Sequence, residues 1–171
     1  MIQRRMSIFC IISVMTFLTF VILLSNLVLP AKDPPSDPCS LLPATQVAKV
    51  LEQPFGPATK TAAPAAAFDR VTGTDCTYQT AKGNSRRLLF RIYVDPSIAV
   101  AKDAFAKLSN FFGPNRAVTG NWDAAYFDAN HAIHVQKGKA RYYLSLSPTG
   151  ADASRAEKQL TDLATWVAGQ L

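Results

Sequence analysis

Residues 8–29 carry no charge, a run of 22 residues that ends at Pro30. About 20 apolar residues in a helix cross the hydrocarbon core of a bilayer, so this run constrains everything after it. Arg4 and Arg5 precede it, and Lys32 and Asp33 follow it. That bias predicts a cytoplasmic N-terminus and an exported remainder. Residues 1–30 are therefore expected to be a single-pass N-terminal transmembrane helix, with the cell membrane as its partner through residues 8–29. The alternative is a cleaved signal peptide, whose apolar region is usually about 7–15 residues and ends in small residues. It would leave a secreted or periplasmic domain. A lipoprotein would need a cysteine just after the run, but Cys10 lies at its start and Cys39 well beyond it.

Residues 31–38, "AKDPPSDP", read as a Pro-rich linker that stands the domain off the bilayer. The folded part is then residues 39–171, an extracytoplasmic domain large enough to bury its own core. Setting Arg4 and Arg5 aside, the formal charge of +6 falls to about +4. Such a mild, dispersed excess suits loose attraction to an anionic envelope polymer or to lipid headgroups, and an envelope protein is the other candidate partner. It does not form the basic stripe that nucleic acid requires, so no nucleic-acid partner is expected.

Two cysteines lie beyond the apolar run, Cys39 and Cys76. An even pair in an oxidising compartment reads as a disulfide. Zinc would normally take four ligands, and no CxxC is present.

The rest of the chain alternates between helical and strand patterns. Val47, Val50 and Leu51 share a helical face after Pro43. "ATKTAAPAAA" is a loop or weak edge strand. "DCTYQT" and "RRLLFRIYV" read as a hairpin around the turn "AKGNS". In the second strand Leu88, Phe90, Ile92 and Val94 alternate with Arg87, Leu89, Arg91 and Tyr93. Ile98, Ala101, Phe105, Leu108 and Phe112 recur at steps of three and four, and Gly113-Pro114 stops that helix. Three short strands follow over residues 124–148, with turns near 128–130 and 137–139. A closing amphipathic helix over 152–171 turns Leu160, Leu163, Ala164, Val167 and Leu171 inward. The order helix–strands–helix–strands–helix implies an α+β domain: an antiparallel sheet with helices packed on one face.

Certain strings, "DPCSLLPATQVAKVL", "DCTY", "GNWDAAYF", "HAIHVQKGKARYYLSLS" and "LATWVAGQL", resemble the small exported domains of unknown function in bacterial envelope proteins. Such domains are common in actinobacterial lipoproteins and sensor-like proteins. The resemblance spans residues 37–171 and implies an α+β fold and a Cys39–Cys76 bridge. It brings no catalytic residues. The chain departs from that pattern at Pro43, where Ser or Thr is usual, and in lacking a lipid-bearing cysteine.

Motifs for chemistry are sparse. His131 and His134, three apart on an expected strand, point to opposite faces and read as surface or edge histidines. Asp69, Asp95, Asp123 and Asp128 fall at strand ends and turns, where aspartate bonds to backbone. Ser145 and Ser147 lack a nucleophile elbow. "VTGTD" and "FFGPN" read as turns rather than phosphate loops. No catalytic residue, metal site or cofactor is expected, and the chain does not read as an enzyme. The most suggestive surface is the outward sheet face. If the two longest strands are neighbours, Arg87, Arg91, Tyr93, Arg141 and Tyr143 form a cationic-aromatic ligand or partner face suited to anionic or sugar-bearing molecules. The sequence thus points to a membrane-anchored binding or sensor-like domain. The competing readings are a structural accessory subunit of a membrane complex and a small envelope hydrolase.

Overall fold

The computed structural model describes residues 37–66, 70–80, 86–113, 115–149 and 152–171. The expected membrane segment 8–29, Cys10, linker residues 31–36, Asp69 and the turn at 81–85 lie outside the described residues. No helix among the described residues is long and apolar enough to cross a membrane.

The domain is built on one seven-stranded antiparallel sheet with three α-helices. A 3-10 turn at Pro38–Leu41 leads into α1 (Ala44–Leu51). Next come β1 (Thr59–Ala63), β2 (Gly73–Gln79) and β3 (Arg87–Val94), then α2 (Ile98–Phe111). A short β4 (Arg116–Ala117), β5 (Ala124–Phe127), β6 (Ile133–Lys137) and β7 (Ala140–Ser147) precede α3 (Ala153–Ala168). The strand order is β1-β2-β3-β7-β6-β5-β4. After β3, the chain passes through α2 to the far edge. It then returns strand by strand until β7 pairs with β3 at the centre, so the two longest strands are indeed neighbours.

Alternation along these strands sorts side chains onto two faces. Leu88, Phe90 and Ile92 of β3 meet Leu146, Leu144 and Tyr142 of β7, with Ile133 and Val135 of β6 beside them. All are buried in a single cluster with Val47 and Leu51 of α1 and Leu160, Leu163 and Val167 of α3. Burying each large apolar side chain contributes about 1.5–3 kcal/mol before the entropy of ordering is counted. Polar ties fix the helices on this face. The Tyr142 hydroxyl donates to Ala164 O at 2.8 Å, and Gln159 Nε2 donates to Val50 O at 3.1 Å. The Tyr78 hydroxyl donates to Leu42 O. Cys39 and Cys76 form a disulfide that pins the first turn to β2, with Cα atoms 5.6 Å apart.

The expectation that every helix packs on one face holds for α1 and α3 but not for α2. Phe105 of α2 lies against Tyr126, ring centroids 5.2 Å apart. Tyr126 belongs to the opposite face, because its neighbours Ala125 and Phe127 point into the core. The α2 stripe is also weaker than its spacing implies: Ala101, Ala104 and Phe105 are buried, but Ile98 and Phe112 stay exposed. A lone helix covers only part of that face. "VTGTD" is likewise not simply a turn, since Gly73 opens β2 and is buried. A Cβ there would meet the Tyr93 ring at 2.6 Å and Ile92 O at 2.9 Å, so glycine lets Tyr93 lie over β2.

Candidate functional site

The partly covered face leaves a cavity of about 340 Å³ between α2, the sheet and residues 64–66. Its floor is the β3–β7 seam. Register places Arg91 opposite Tyr143 and Tyr93 opposite Arg141, and the next strand sets His134 opposite Tyr143. Phe105, Leu108 and Phe112, at steps of three and four along α2, form one wall. Four of the five residues expected on the outward face, Arg91, Tyr93, Arg141 and Tyr143, therefore line this pocket. Arg87 does not. It pairs with Gln79 and Ser147 at the other end of β3 and is exposed.

The two floor arginines carry their own counter-charges. Arg91 Nε and Nη2 grip Asp75 Oδ1 and Oδ2 at 2.6 and 2.8 Å. This fork, more than any other contact, raises the Arg91 pKa. Arg141 makes the same two-pronged contact with Asp95 at 2.6 and 2.8 Å, and the Asp95 side chain is fully buried. Arg141 also stands over the Tyr93 ring, 5.4 Å from its centroid. The cationic patch expected from the sequence is thus electrically balanced by two aspartates that the sequence reading left unassigned or read as a turn residue.

The two histidines part ways. His131 is exposed, as expected, but not on a strand. It sits in the β5–β6 turn with φ +61° and bonds Glu157 of α3 through Nδ1 at 2.7 Å. Glu157 also pairs with Arg116. Burial pushes the Glu157 pKa up, but the Arg116 and His131 hydrogen bonds outweigh it and leave the carboxyl below its ordinary value. This cluster ties α3 to β4 and the turn. His134, expected at a surface or edge, is buried on β6. Its ring stacks on Tyr126 at 4.7 Å and lies 4.9 Å from Tyr143 and 5.6 Å from Phe112. Its Nε2 meets Asp128 Oδ2 at 3.0 Å. Asp128 and Asp123 do serve backbone as expected: Asp128 accepts from Asn130 and Ala132 N–H, and Asp123 from Gly138 N–H.

Among the described residues, no group of three or more His, Cys, Asp or Glu side chains is placed to hold a metal ion. No protein-family model matches the chain, and comparison with curated protein sequences finds none that is similar.

Proposed function

We propose that this chain is a membrane-tethered extracytoplasmic domain that binds a small molecule, without catalysis, in the pocket under α2. The observation that carries the reading is the pocket's construction. Paired polar groups converge on the floor, aromatic and aliphatic side chains form a wall, and the volume falls within the roughly 300–1,000 Å³ usual for small-molecule sites. The Cys39–Cys76 disulfide supports an oxidising compartment, and the uncharged run at 8–29 supports the tether. Binding rather than chemistry is favoured because the polar groups on the floor are committed to one another, His134 to Asp128 and each arginine to an aspartate.

The test compares small molecules that stay with the full chain through purification from its native membrane with those retained by Leu108→Trp. That substitution fills the pocket from the half-buried wall of α2. Mass spectrometry should find at least one compound on the wild-type chain that Leu108→Trp loses, with the melting temperature held within about 4 °C, the scale of a 1 kcal/mol change. An identical set of bound compounds on both chains contradicts the reading.

A further inference from the structure

We infer that the pocket selects an uncharged molecule: a flat apolar body carrying one hydrogen-bond-accepting head, with discrimination against anions of the same shape. The inference rests on the pocket reading above and names its ligand class. It departs from what Arg91, Tyr93, Arg141 and Tyr143 suggest as a bare sequence pattern.

Charge decides it. Arg91 with Asp75, and Arg141 with Asp95, each sum to zero at contact distance. Asp128 is the carboxylate that lines the pocket itself, in contact with His134. An anion entering this space would give up its hydration to meet arginines whose charge Asp75 and Asp95 already balance, with the Asp128 carboxylate in the lining, and burying an incompletely paired charge is costly. A cation would meet the guanidinium groups themselves. A neutral acceptor faces neither penalty. The fork to Asp75 occupies only one edge of the Arg91 guanidinium, and a guanidinium has further N–H donors to offer. Arg91 is flanked by Tyr143 and by Tyr93, and the Tyr93 hydroxyl already donates to Pro64 O at 3.1 Å, so Arg91 and Tyr143 are the donors of a polar end with no net charge. The apolar wall is Phe105, Leu108 and Phe112, with the flat ring of His134 beside Phe112. Rings favour planar partners in offset or edge contact. A carboxamide, ketone or phenol on an aromatic frame fits both the donors and the apolar wall.

The probes are naphthamide and naphthoate, two molecules of nearly one shape that differ in charge at neutral pH. Their binding to the full chain in lipid nanodiscs is measured by equilibrium dialysis, with the Leu108→Trp chain as background for uptake into lipid. Tyr143→Ala, which removes part of the floor instead of filling the space, is the second control. Naphthamide should bind saturably and about tenfold more tightly than naphthoate, a difference of ~1.4 kcal/mol. Both pocket variants should lose it. Asp75→Asn, which leaves the Arg91 charge uncompensated, should shift the preference toward naphthoate. If naphthoate binds the wild-type chain as tightly as naphthamide, the selection for neutrality is wrong and the pocket reading survives. If neither probe saturates, or both pocket variants bind naphthamide like the wild type, the pocket reading itself fails.

Discussion

Asp128 gathers hydrogen bonds from Asn130 N–H, Ala132 N–H and His134 on one nearly buried carboxylate. Burial pushes its pKa up, the hydrogen bonds led by His134 pull it down, and the net result lies below the ordinary aspartate value of 3.8. A carboxyl depressed in the folded state adds stability that is fully present above its unfolded pKa. That stability is lost as the pH falls through the folded value. Asp128→Asn should therefore be less stable than the wild type by about 1–2 kcal/mol near neutral pH, through weakened hydrogen bonds in a buried place. The gap should hold down to about pH 5 and close below about pH 4. Urea midpoints measured across that range check this, and because Glu157 and the other carboxyls are common to both chains, they cancel in the difference. A gap that stays constant through acid would mean that the Asp128 charge is not what stabilises the turn. At this scale the sequence was least legible. Two histidines three apart look like surface residues. What buries His134 is the arrival of α2 from elsewhere in the chain and the stack on Tyr126, and neither leaves a local mark.

Elements were much easier to read. The strict alternation of Leu88, Phe90 and Ile92 marks β3, because one sheet face must be dry and the side-chain period is two. The register of β2 on β3 was also within reach. A hairpin symmetrical about position 83 sets Asp75 opposite Arg91, which is the pairing observed, so the neutralising partner of Arg91 could have been found. Asp95 could not, since 46 residues separate it from Arg141 and only the return of β7 to β3 brings them together. β4 left no signal because two exposed residues carry no period. The Cys39–Cys76 bridge joins the first turn to β2 across a sequence separation of 37. A loop of that length contributes about 4 kcal/mol through the unfolded chain. Replacing both cysteines with serine should lower the unfolding free energy by about that much, as read from denaturant midpoints. A loss under about 1 kcal/mol would show that the bridge merely decorates a turn that α1 already holds.

Across the whole molecule, the sheet does two jobs with its two faces. One is sealed by α1 and α3 into an apolar core. The other is only partly roofed by α2, and paired charges and aromatic rings line the space left beneath it. Legibility followed the same division. The core face was readable because hydrophobic burial repeats at a fixed period. The same alternation put Arg87, Arg91 and Tyr93 on the outward face, Arg87 lying away from the pocket, but the charge balance there was not legible, because neutrality depends on contacts between strands and loops distant in sequence. The five tyrosines sample this division. Tyr78 and Tyr142 belong to the buried core, whereas Tyr93, Tyr126 and Tyr143 lie on the α2 side. The most direct test of binding under α2 is therefore fluorine NMR of the full chain labelled with fluorotyrosine and titrated with naphthamide. Tyr93 and Tyr143 should shift in step with occupancy while Tyr78 and Tyr142 hold still. Shifts spread evenly over both faces, or none at Tyr93 and Tyr143, would contradict the account.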